Sequence, residues 1–103
     1  MEKLNIKNGN IYLSAKLYKT YFSMVEAVVL LRREEDVLIM PVQNASGGLL
    51  LKIINAKGDR VVHASEFFMF NNIECQDEKT VTAHWNSDMA ALTLSVESLN
   101  TGK

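Results

Sequence analysis

The chain has 103 residues, the length of one domain, and its 48% apolar and 22% charged residues exclude an intrinsically disordered protein. Eleven basic residues face twelve acidic ones. A formal charge of −1 excludes any overall attraction to nucleic acid or anionic lipid, so such binding would need a local patch.

Leu4-Asn5-Ile6 alternates like a short strand, Asn8-Gly9 is a two-residue hairpin turn, and Ile11-Tyr12-Leu13 resumes extended structure. Ser14 is placed to cap a helix whose apolar face is Leu17, Tyr18, Tyr21 and Phe22. Val25 to Leu31 and Val37 to Met40 read as the strands of a hairpin, with Arg32-Arg33-Glu34-Glu35-Asp36 at its tip, where the opposite charges should neutralise one another. Pro41 suits the end of an edge strand, since it would remove a ladder bond in a central one.

The same order then recurs. Leu51-Lys52-Ile53 answers Leu4-Asn5-Ile6, Asn55 to Gly58 is a longer turn, and Arg60-Val61-Val62 is the next strand. Ser65 is placed to cap a helix carrying Phe67, Phe68 and Phe70, with Asn71-Asn72 as its stop. Thr80 to Trp85 and Met89 to Val96 form a second hairpin around Asn86-Ser87-Asp88. The chain therefore reads as one domain of two strand–helix–hairpin units, about 1–42 and 49–97, joined by the small, polar linker 43–48. An isolated hairpin is marginal in water, so the two units should interleave around one core.

The segments GDRVVHASEFFMFNNI and TVTAHWNSDMAALTLSV resemble the swapped-hairpin domain of the AbrB, MazE and MraZ proteins. That family runs glycine, basic residue, two β-branched residues, proline, then a short helix with an acidic–leucine pair. Gly58, Arg60, Val61, Val62, Glu66 and Phe67 follow the run with Asp59 inserted. Gly9, Ile11, Leu13 and Leu17 follow it without a gap, with Lys16 at the acidic position. Two units in one chain is similar to MraZ, whose halves form a pseudo-dimeric barrel. The resemblance implies a mainly β, pseudo-two-fold swapped-hairpin barrel with two short helices, acting as a small DNA-binding transcriptional regulator or antitoxin-like module. Departures are clear. Asn10 stands for the first unit's basic residue, Phe68-Met69 occupy helix positions, Ser14 or Ala64 replaces the proline, and the aspartate-to-arginine signature of MraZ is absent. Of the basic positions that the family uses on DNA, Arg60 and Lys19 remain.

The candidate DNA-contacting residues are Lys3, Lys7, Lys19, Lys52, Lys57 and Arg60, most of them beside the two short-strand turns; solvated, scattered lysines are the plainer alternative. Phe67, Phe68 and Phe70 crowd one short segment and are the candidate protein-contacting residues: three aromatics cannot all face one core stripe, so at least one should be exposed or interfacial. His63, His84 and Cys75 fit no metal-ligand spacing, and the two histidines read as partly buried or interfacial strand residues. Ala45-Ser46-Gly47-Gly48 lacks the lysine and hydroxyl pair of a phosphate loop, and neither Ser14 nor Ser65 sits in a nucleophile elbow. No enzyme activity, metal or cofactor is expected. The alternative to DNA binding is a non-enzymatic assembly or accessory protein that kept the barrel and binds another protein, with a small-molecule or metal-binding barrel well behind. Either way the chain is expected as a monomeric pseudo-dimer or a homo-oligomer. The lone Cys75, the charged start MEKLNIKNG and the lack of any apolar run near the ~20 residues that cross a bilayer point to a soluble, cytoplasmic protein.

Overall fold

The computed structural model describes residues 2–43 and 47–100. The middle of the expected linker, residues 44–46, lies outside that range. Twelve elements follow in order: β1 (Glu2–Lys7), β2 (Asn10–Leu13), α1 (Ala15–Tyr21), β3 (Ala27–Arg33), β4 (Asp36–Val42), β5 (Leu49–Leu50), β6 (Lys52–Ile53), β7 (Arg60–His63), α2 (Ser65–Phe70), β8 (Lys79–Asn86), β9 (Ala91–Ser95) and α3 (Val96–Asn100). The mainly β expectation is borne out: nine antiparallel strands form a nearly closed barrel. Among the described residues no helix is long and apolar enough to cross a membrane.

The sheet order β5-β3-β4-β9-β8-β1-β2-β7-β6 shows how the hairpins are exchanged. The β8–β9 hairpin adds to β1, with Leu4 opposite Val81. The β3–β4 hairpin adds to β5, with Ala27 opposite Leu50. Strands β2 and β7 pair with each other, as do β4 and β9. Each hairpin thus completes the first strand of the other half of the chain. Pro41 lies opposite Val28, beyond the last β4–β9 pair at Ile39 and Leu92, so no ladder bond to β9 is lost there.

Alternation selects the interior. Leu4 and Ile6, Ile11 and Leu13, Val37 and Ile39, Val81 and Ala83, and Leu92 and Leu94 point inward and are buried. Leu17 and Phe22 from the first half and Phe68 and Ile73 from the second join the same cluster. Truncating either buried phenylalanine to alanine would cost about 3–5 kcal/mol.

The Asn8-Gly9 turn has positive φ at both residues, 53° and 79°, as the tight hairpin turn requires. Its backbone is also held from across the molecule. The Gly9 carbonyl accepts from Ala64 N at 2.8 Å, and Gly9 N donates to Cys75 O at 2.9 Å. The turn meets the start of α2 so closely that a Cβ on Gly9 would lie 2.4 Å from the Ser65 Cβ.

Three features differ from the sequence reading. The described residues form three helices and not two: α3 buries Val96 and Leu99, and Val96 N donates to Glu35 O at 2.8 Å. Five residues are too few to leave a helical period in the sequence. Ser65 is no cap: Ala64 occupies that position with no side-chain bond, and Ser65 is the first helical residue. At the charged tip, no carboxylate pairs with Arg32 or Arg33 among the described residues. Arg32 Nε donates to Glu34 O at 2.7 Å and its Nη1 to Asn71 O at 3.3 Å, while Arg33 Nη1 reaches Met89 Sδ at 3.4 Å. Backbone carbonyls of the tip and of the α2 end satisfy Arg32 instead of neighbouring side chains.

Urea unfolding of two glycine variants checks the interlock. Gly9→Ala combines the positive φ with a clash against Ser65 and should cost about 2–4 kcal/mol. Gly47→Ala, at φ 83° with nothing within 4 Å, should cost only about 1 kcal/mol.

Candidate nucleic-acid and protein interfaces

The six basic candidates do not share one groove. Lys3 and Lys7 alternate with Asn5 on the outer face of β1 and line a groove with Tyr12, which also holds the acidic side chains of Asp59 and Glu78. Lys52 and Arg60 line a different groove, with Tyr18, Met24, Glu26 and Ile53. Lys19 is exposed in the last turn of α1. Lys57 is an exposed lysine 3.8 Å from the Asp59 carboxylate, the one ion pair among the described residues.

Arg60 is the most constrained of the six. Its guanidinium lies 3.8 Å from the centre of the Tyr18 ring, and its Nη1 donates to the Gly58 carbonyl. Stacking on an aromatic face suits the weakly hydrated guanidinium and fixes its plane. Tyr18 is fixed in turn, donating its hydroxyl to Val25 O at 2.8 Å.

Asp59 ties the second turn to the first helix. Its Oδ1 accepts from Ala15 N at 2.7 Å, and its Oδ2 accepts from Asn55 Nδ2 at 2.9 Å. Asn55 Oδ1 accepts from Gly58 N and Asp59 N, closing the turn. The α1 start is therefore capped twice, since Ser14 Oγ accepts from Leu17 N at 3.1 Å. The Asn55 amide, the Ala15 N–H and the Lys57 charge together hold the Asp59 carboxyl below the ordinary aspartate range. The inserted residue of the glycine–basic run is thus a structural anchor.

The three phenylalanines separate. Phe68 is fully buried, Phe67 is half-buried at 5.9 Å from it edge-on, and Phe70 is 88% exposed beside the exposed Met69. A second apolar set, not foreseen from the sequence, comprises Met24, Leu50, Ile53 and Ile54. The unbroken run Leu49–Ile54, apolar but for Lys52, shows no alternation from which to tell inward from outward positions.

Both histidines are exposed rather than partly buried, because each occupies an outward strand position. His63 Nδ1 lies 2.8 Å from Asn10 Oδ1 across the β2–β7 pair. Cys75 is buried, and burial pushes its thiol up. At the other end of α1, Tyr21 stacks on Trp85 at 4.7 Å and donates its hydroxyl to Glu2 at 2.9 Å. That bond to the carboxylate, more than burial, raises the Tyr21 hydroxyl above its ordinary value. Among the described residues no three of His, Cys, Asp or Glu converge to hold a metal ion. No known family, curated protein or solved structure matches this chain.

Two predictions concern the caps. Ser14→Ala should cost about 1 kcal/mol in urea unfolding, whereas Ser65→Ala should stay within about 0.5 kcal/mol, because only the first serine accepts an amide. Because its folded pKa is depressed, Asp59 stabilises the fold above its unfolded value near ~3.9, and that contribution disappears as pH falls through the folded value. The stability gap between the wild type and Asp59→Ala should therefore be flat above about pH 5 and narrow steadily below about pH 4. A gap that widens on acidification would reverse the assignment.

Proposed function

We propose that this chain is a non-enzymatic protein-interaction module whose contact surface includes the exposed end of α2. The observation that carries this reading is Phe70, 88% exposed, next to Met69, 71% exposed, on a helix whose other aromatics anchor it in the core. Aromatic and methionine side chains are enriched in interface cores, and a large aromatic presented on a fixed helix loses little freedom on binding. The surrounding chemistry supports a protein partner: Asn71 Nδ2 donates to Phe67 O and Arg32 to Asn71 O, which fix the end of the helix that presents Phe70. A reducing cytoplasmic setting, resting on the single Cys75, belongs to the same proposal.

A second reading, DNA binding by an AbrB/MazE/MraZ-like barrel, is supported by the resemblance, by the exchanged hairpins, and by Lys3, Asn5 and Lys7 on one outward strand face. It has fewer cations at its disposal, because Lys57 pairs with Asp59 and Arg60 is committed to Tyr18 and Gly58.

A photo-crosslinking residue placed at position 70, in the cells that express the chain natively, separates the readings. One dominant protein adduct, missing when the same group replaces Asp88, is the expected result. No discrete adduct at position 70, together with duplex binding whose log–log salt slope falls by about 0.9 for each of Lys3 and Lys7 replaced by Ala, would establish the DNA reading instead.

A further inference from the structure

Strands β5 and β6 are the two ends of the sheet, yet they are consecutive in the chain. Leu51 between them is buried and its N–H donates to Glu26 O at 2.8 Å. Before Leu51 the chain pairs with β3 alone, and after it with β7 alone. The side of Lys52–Ile53 that faces away from β7 therefore has no strand partner. It borders an open groove of about 760 Å³ formed with Tyr18 and the α1–β3 connection.

The counterpart strand in the first half is built differently. Six-residue β1 is paired on both sides, by β2 and β8, and shows Lys3, Asn5 and Lys7 to solvent. The Leu49–Ile53 edge instead shows Leu50 at 52% and Ile53 at 65%, with Met24 at 91% across the groove. Natural edge strands are kept apart by charges, prolines or bulges, and here Lys52 is the one charge. The groove also carries both signs: Glu26 and Lys52 line it, both exposed, and neither forms an ion pair among the described residues.

We propose that this edge is the contact between two copies of the chain, with Lys52–Ile53 of each laid antiparallel against the same edge of the other about a two-fold axis. A two-fold contact must be self-complementary, and this groove is: Glu26 of each copy meets Lys52 of the other, while Leu50, Ile53 and Met24 bury one another. The strand-edge groups left over by the break at Leu51 then gain partners. The patch is small, so the association is weak and concentration-dependent, and no residue of α2 lines the groove.

Sedimentation equilibrium between about 10 µM and 1 mM tests this, a range that spans affinities usual for small interfaces. The mass is expected to rise from 11.6 kDa toward double that value. Ile53→Lys should weaken self-association by at least about tenfold while the thermal melt stays in place, since the side chain is exposed. Glu26→Lys and Lys52→Glu should each weaken it, and the double variant should recover it. A wild type that remains at single-chain mass throughout, a dimer that survives Ile53→Lys, or a double variant no better than either single one would overturn the proposal.

Discussion

The exchange of hairpins between the halves of the chain is the constraint on which the rest depends. β1 lies between β2, its own hairpin partner, and β8, which arrives from the far half with Glu2 to Ile6 opposite Ala83 to Lys79. Take β8 away and Leu4 and Ile6, both buried, lose the cover on one side of their strand. The turns make the same exchange: Gly9 holds the start of α2 through Ala64 N, and Asp59 holds the start of α1 through Ala15 N. Each of these two helices is too short to persist alone and is fixed at its start by a turn of the opposite half, α1 at its first residue and α2 at its cap.

The exchange is symmetric in its pairing and unequal in its strength. β1 meets its incoming hairpin over five residue pairs and β5 over only two, so the barrel is firm on one side and split on the other. Exposed apolar surface gathers where the pairing is poorest, at Leu50 and Ile53, and at the end of α2 in the same half. The outward face of β1 is polar instead, with Lys3, Asn5 and Lys7. One architecture therefore offers two kinds of surface, and the division follows directly from which first strand is fully paired.

Much of this organisation is readable in the chain. The strand–helix–hairpin order, the Asn8-Gly9 turn, the stop at Asn71-Asn72 and the exposure of one of three phenylalanines all arise from local chemistry, where turn residues, caps and periodicity act over a few positions. What was not readable depends on distant partners. Ser65 has a good capping side chain, yet the approach of Gly9 from the other half leaves it as the first helical residue. Arg32 and Arg33 have acidic neighbours in sequence, but Arg32 donates to the backbone carbonyls of Glu34 and the distant Asn71, and Arg33 reaches the distant Met89 sulfur. The break at Leu51 is invisible in an apolar run, because what divides it is the departure of β3 on one side and the arrival of β7 on the other. Arg60 fits a basic position of the family resemblance, while its stacking on Tyr18 is a tertiary fact.

The claim that neither half closes a core alone is tested most directly by dividing the chain within 43–48 and recording amide spectra of each piece and of their mixture. The account predicts collapsed, poorly dispersed spectra for either piece at low concentration, and on mixing a dispersed spectrum with slowly exchanging amides at Leu4, Ile6 and Val81. A piece that is monomeric, well dispersed and cooperative in its own unfolding would contradict it, because the buried face of β1 or of β8 would then have found its cover without the other half.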